Sequence, residues 1–134
     1  MSTNKTENLH LHAWTPEDGV LLSEFNENFE AIDAAVGAVP RLHFGTYTGT
    51  GTYGVSHPNT LTFPFQPQFL LIWDTSSLGS CIIATYGQTL YTTANSHGRN
   101  TTTWNGTTLT WYYANDAYIQ MNERNVVYNY LIIG

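Results

Sequence analysis

Between Leu22 and Val36 the large apolar residues Leu22, Phe25, Phe29, Ile32 and Val36 fall alternately three and four positions apart. That spacing draws one seam along a helix of about 3.5 residues per turn. Everything beside the seam is polar, with Glu24, Asn26, Glu27, Asn28, Glu30 and Asp33 covering the remaining surface. A helix that docks on a globular core carries a wider apolar stripe. The narrow seam therefore points to pairing with copies of itself, and the alternative is a lone amphipathic helix packed on its own domain. Ser23 reads as the N-cap, Glu24 and Glu27 lie where the helix dipole favours carboxylates, and Gly37 reads as the stop. Two heptads are too short to persist alone in water, so the copies need something downstream to hold them together.

Charge changes at the same place as periodicity. Up to Val36 the acidic residues are Glu7, Glu17, Asp18, Glu24, Glu27, Glu30 and Asp33 against Lys5 alone, whereas from Gly37 onward Arg41, Arg99 and Arg124 balance Asp74, Asp116 and Glu123. The boundary divides an arm and short coiled-coil helix, 1–37, from a β head, 38–134. Neither part carries the basic patch that nucleic-acid binding requires. Only 10% of residues are charged, far below the roughly one quarter of an average soluble protein, as in a β-rich surface protein. Cys81, the single cysteine, lies in an apolar run and reads as a small buried hydrophobe. No stretch has the pattern of a signal peptide or approaches the ~20 apolar residues of a membrane span, so the expected site of synthesis is a cytoplasm, without membrane insertion.

The first residues, Met1–Glu7, read as loose. Asn8–Trp14 alternates as an extended arm, with Leu9 and Leu11 on one side and His10 and His12 on the other, and Thr15-Pro16-Glu17-Asp18 has the form of a turn or capping box. Beyond Pro40 the signals are those of strands. Leu42–Tyr47 opens one, Thr48–Asn59 is a glycine-rich loop, and Leu61, Phe63 and Phe65 alternate up to an irregularity at Pro64. The runs Phe69–Trp73 and Cys81–Ala84 read as central strands. Asn105-Gly106 predicts a type I′ hairpin between Thr101–Trp104 and Thr107–Tyr113. Ala117–Met121 and Val126–Ile133 supply two further strands around a turn at Asn122–Asn125. About eight strands without an intervening helix predict a mainly β fold, an antiparallel β-sandwich or jelly-roll-like head.

The segment Trp14–Val36, with Phe25-Asn26-Glu27-Asn28-Phe29 followed by Ile32-Asp33, resembles the N-terminal segment of tail-fibre, baseplate and related virion proteins from phages and prophages of Gram-positive gut bacteria. Phe44–Gly51, Pro58–Phe63 and Phe65–Ile72 resemble the start of the β-domain that follows, and Gln120–Asn122 with Val127–Gly134 its closing part. The resemblance implies a homotrimer on the virion, a trimeric coiled coil through Leu22, Phe25, Phe29, Ile32 and Val36, and attachment to other virion proteins through residues 1–20. It implies a tail-fibre or receptor-binding appendage whose head meets a host glycan or protein. A capsid decoration or head fibre keeps the same fold, and a carbohydrate-binding module of a cell-wall enzyme is the alternative from another class.

No catalytic signature is present. Asp74 and Asp116 are the only carboxylates of the head apart from Glu123, and each suits a turn better than the paired acids of a glycosidase. No cofactor is implied. His10 and His12, two apart, would share a strand face, and three copies could enclose one transition-metal ion, but exposed histidines on a docking arm are the simpler reading. For host or glycan contact the candidates are Tyr53, Tyr86, Trp104, Trp111, Tyr112 and Tyr113, aromatic rings beside Asn and Thr donors. Core packing or contact between subunits are their other uses.

Overall fold

A computed structural model of the protein describes residues 1–75, 80–93 and 98–134. Over these residues the fold is mainly β, with antiparallel sheets and one short helix. The chain divides into two units, Met1–Pro40 and Arg41–Gly134.

In the first unit, β1 (Asn4–Lys5) pairs antiparallel with β2 (His12–Ala13), and α1 (Leu22–Gly37) follows. The expected extended arm is therefore a small hairpin. His10 takes a φ of 53°, and this left-handed residue reverses the chain where alternation predicted continuation. Met1–Glu7 is not loose either. The Ser2 N–H donates to both oxygens of the Glu24 carboxylate at 2.9 and 3.0 Å, and the Met1 amino group bonds the Gly19 carbonyl. Thr15 and Asp18 form the expected turn: the Thr15 N–H donates to the Asp18 carboxylate at 2.8 Å, and the Asp18 N–H returns to the Thr15 carbonyl. Helix α1 is capped by Leu21 rather than Ser23, and no side chain bonds the cap. Ser23 falls inside the first turn. The helix does end at Gly37, but Ala38 closes it in a right-handed conformation with its N–H on Ala34, so no left-handed glycine is needed.

Among the described residues, the second unit contains two sheets. The larger has the order β3 (Leu42–Thr48), β11 (Val127–Ile133), β5 (Phe69–Asp74), β6 (Cys81–Thr85), β7 (Tyr91–Thr92) and β8 (Gly98–Arg99). The smaller has β10 (Thr108–Tyr112) between β4 (Asn59–Thr62) and β9 (Thr101–Asn105). Phe63, Leu109 and Trp111 on one side and Leu70, Ile72, Ile82, Tyr128 and Ile132 on the other share one core with Leu90 and Met121, an arrangement consistent with a β-sandwich. At Gly45 a β-carbon would lie 2.1 Å from Cζ of Tyr130, its partner across the ladder, so only glycine lets that ring cover the strand.

Three local expectations are corrected. The apolar runs of β5 and β6 lie inside their sheet as expected, but they bury one face: Leu70, Ile72 and Ile82 point inward, while Leu71, Trp73 and Ile83 do not. The hairpin of β9 and β10 turns one residue later than expected. Asn105 pairs with Thr108, and of the two loop residues only Gly106 has positive φ, the pattern of a type II′ turn. Ala117–Met121 is a run of turns rather than a strand. The Asp116 carboxylate takes the Tyr118 N–H at 2.8 Å, and the Gln120 and Asn122 N–H groups fold back to Asp116 and Ala117.

Candidate functional site

Helix α1 presents its polar face to the rest of its own unit. The Asn28 side chain accepts the His12 N–H at 2.6 Å and donates to the His12 carbonyl at 2.9 Å, completing the edge of β2 as another strand would. One turn earlier, Glu24 holds the Ser2 N–H and the Trp14 indole N–H, the latter at 2.9 Å. Glu27 takes His12 Nε2 at 2.8 Å. Burial works to raise the Glu24 carboxyl, but the donors from Ser2 and Trp14 together with the N-terminal charge and His12 outweigh it and hold it below its ordinary 4.5. Asp18 is held below its usual value first by the Thr15 N–H, against a smaller effect of burial.

The apolar seam is left uncovered as a result. Leu22, Phe25, Phe29, Ile32 and Val36 are 40–75% exposed, and Glu24 is the one residue of the helix that is buried. The usual arrangement covers the apolar stripe and solvates the carboxylates; here the stripe is open and Glu24 is covered, while Glu27, Glu30 and Asp33 stay exposed. Phe25 and Phe29 meet edge to face at 4.9 Å, and Trp14 lies 6.3 Å from Phe25, which adds an aromatic ring to one flank of the seam.

The two arm histidines do not share a face. His10 is exposed in the turn between β1 and β2, while His12 is drawn to the helix, with Nδ1 on the Ser2 hydroxyl at 2.6 Å and Nε2 on Glu27. The His-x-His pairing needed an extended strand, and the left-handed residue at His10 removes it. Among the described residues, no group of three or more His, Cys, Asp or Glu side chains is arranged to hold a metal ion.

The six aromatic candidates do not form one patch. Trp111 is fully buried in the core and donates its indole N–H to the Gln120 carbonyl at 2.8 Å, so it cannot meet a ligand face-on. The alternation of β10 turns Leu109 and Trp111 inward and leaves Tyr112 half-buried on the other side. Tyr86 and Trp104 pair with ring centroids 5.2 Å apart, and the Trp104 indole is tied to the Gln88 carbonyl at 2.8 Å. Tyr113 is half-buried, its N–H on the Gln120 side chain. Tyr53, on the glycine-rich loop, is the most open of the six at 47% exposure. Tyr91 is equally exposed, on a strand too short to show alternation in the sequence.

A cleft of about 350 Å³ lies beside that loop, lined by Tyr47, Thr50, Thr52, His57, Asn59 and Trp111 among others, none of them acidic. Its frame is internally satisfied. Asn122 accepts the Thr50 N–H and donates to the Thr50 hydroxyl and the Thr52 carbonyl, and Gln120 bridges Gly54, His57, Asn59 and Tyr113. Burial pushes the Tyr47 hydroxyl well above its ordinary value, and it stays protonated while donating to the Met121 carbonyl at 2.7 Å. Burial likewise raises Tyr128, stacked 5.0 Å from Tyr47, to about 12. The hydroxyls and amides that line the cleft are groups that can bind a neutral polar ligand. Gln120, which organises this corner, carries no sequence signal of that role, because it lies in a stretch that alternates like a strand. No family model, curated protein or solved structure matches this chain.

Proposed function

We propose that the protein is a structural component of a phage virion, a homotrimeric tail-fibre or receptor-binding type appendage. It attaches through its N-terminal unit and meets the host surface with its β head. The observation that carries this reading is the exposed seam of α1, whose polar face is already occupied by the arm. A helix clasped on its carboxylates and open on its phenylalanines suits pairing with identical helices, and the sequence resemblance gives that pairing a setting. Three weakly binding heads on one short stem gain avidity without new contacts.

The test is molar mass in solution, by light scattering. The native chain is expected at three times its monomer mass. Phe25→Asp or Ile32→Asp is expected to give monomers of unchanged circular dichroism, since both positions are open in the single chain and a buried carboxylate is costly at a seam. A monomeric native protein would overturn the reading. Its place on the particle is tested by labelling this chain in imaged virions.

A further inference from the structure

The outer faces of the two sheets differ in kind. On the three-stranded sheet the outward residues are Thr60 and Thr62 of β4, Thr101, Thr103 and Asn105 of β9, and Thr108, Thr110 and Tyr112 of β10. Their hydroxyls meet across the ladder, 3.4 Å between Thr60 and Thr110 and 3.3 Å between Thr62 and Thr108. That is a sheet surface made for water. On the six-stranded sheet the corresponding side is apolar over two rows, with Thr85 ending the second and Thr46 and Asn129 in the row beyond. Phe44, Leu131, Leu71 and Ile83 stand in register across four strands, and Leu42, Ile133 and Phe69 form the next row. Leu42, Phe44 and Ile83 are 57–65% exposed. No charged residue lies on the outward side of these four strands. The first is Arg99 on β8, at the sheet's far edge.

We infer that this face is a second surface on which copies of the chain associate. A tile four strands wide is on the order of 15 Å across, and a contiguous apolar patch of that kind is commonly an interaction site. It is nevertheless smaller than the roughly 800 Å² per partner of a stable independent interface. It therefore works with a second contact, and the seam of α1 is the one available. Leu42, first residue of the face, follows Val36, last residue of the seam, by six positions, so extended chain bounds their separation at about 20 Å. Copies joined at the seam thus hold their faces at high effective concentration. An uncharged surface suits its own copy: it offers no groups to steer a charged partner and none to repel an identical one. The inference rests on the seam reading above, and the experiment separates the two.

Cys81 lies at the edge of this face, opposite Trp73, and is the chain's only cysteine, so its thiol reports coverage. The full-length native protein, Phe44→Asp, Ile83→Asp and Phe25→Asp are compared by sedimentation over a concentration series and by the rate of Cys81 labelling with a maleimide. Phe44→Asp and Ile83→Asp are expected to raise the concentration of half-dissociation at least tenfold. Labelling of native Cys81 is expected to slow at least tenfold on assembly. If Phe25→Asp dissociates the chains while both face variants assemble like the native protein and Cys81 labels equally fast throughout, the face inference falls and the seam stands. If the face variants dissociate and Phe25→Asp does not, the seam reading falls, and with it the argument that the face needs a second contact, while association at the face itself stands. A monomeric chain with protected Cys81 means that its own helix covers the face, and a monomeric chain with reactive Cys81 leaves the face to a foreign partner. Either result overturns the inference.

Discussion

Gln120 shows how one side chain can hold a corner that no secondary structure spans. Its amide oxygen accepts the N–H groups of Gly54 and Tyr113 at 3.1 and 3.0 Å, and its amide nitrogen donates to the His57 carbonyl and the Asn59 side chain at 2.8 and 3.2 Å. Its backbone carbonyl takes the Trp111 indole as well. The residue is fully buried, so each partner it satisfies is cut off from easy hydration. Gln120→Leu keeps the volume but strands two backbone N–H groups and a carbonyl, at about 1–3 kcal/mol for each group left unsatisfied. The expected loss is about 3 kcal/mol or more in a denaturant titration, together with a more open glycine-rich loop in hydrogen exchange. A loss below about 1 kcal/mol would mean that water replaces the amide freely and that the cleft is not preformed. By contrast, Thr50 and Thr52 at the cleft rim bond each other at 2.7 Å while remaining solvent-accessible, so truncating either costs less stability.

At the level of elements, the hairpin of β1 and β2 is fastened to α1 through carboxylates, which makes the attachment pH-dependent. Glu24 and Asp18 both ionise more readily than their ordinary values of 4.5 and 3.8. Groups with lowered values stabilise the folded form fully above the unfolded value and lose that contribution as pH falls through the folded one. The arm is therefore expected to stay fastened at neutral pH and to loosen as pH drops below 4.5, seen as faster amide exchange at Ser2 and Thr3 and a shift of the Trp14 indole resonance. Glu24→Gln should shrink this acid response without abolishing it, because Asp18 titrates in the same direction. An unchanged response would place the attachment elsewhere. The helix and its seam were legible from sequence because five apolar residues repeat over four turns. The fastening was not, because its partners are isolated polar residues, Ser2, His12 and Trp14, brought back by a turn at His10 that alternation disguised. In the head, Asn105-Gly106 announced its hairpin, since few residues tolerate positive φ. The turns at 117–121 were hidden because Tyr118, Gln120 and Asn122 alternate with apolar neighbours as a strand would.

For the whole molecule, the uncovered seam and the apolar sheet face have one thermodynamic consequence that either alone would produce more weakly. If association and folding are coupled, stability grows with concentration by mass action. For a trimer each tenfold rise adds about 0.9 kcal/mol per chain, which for a chain of this size moves the unfolding midpoint by about 3–5 °C. The native protein is expected to show that slope in scanning calorimetry. Phe25→Asp should flatten it while leaving the midpoint of the dilute protein nearly unchanged, since the substituted position is exposed in the single chain. Phe44→Asp should reduce the slope without removing it, because the seam persists. A native midpoint independent of concentration over three decades would show that the unit from Arg41 to Gly134 unfolds alone. The clasped helix would then be a terminal appendage whose apolar side awaits a different protein.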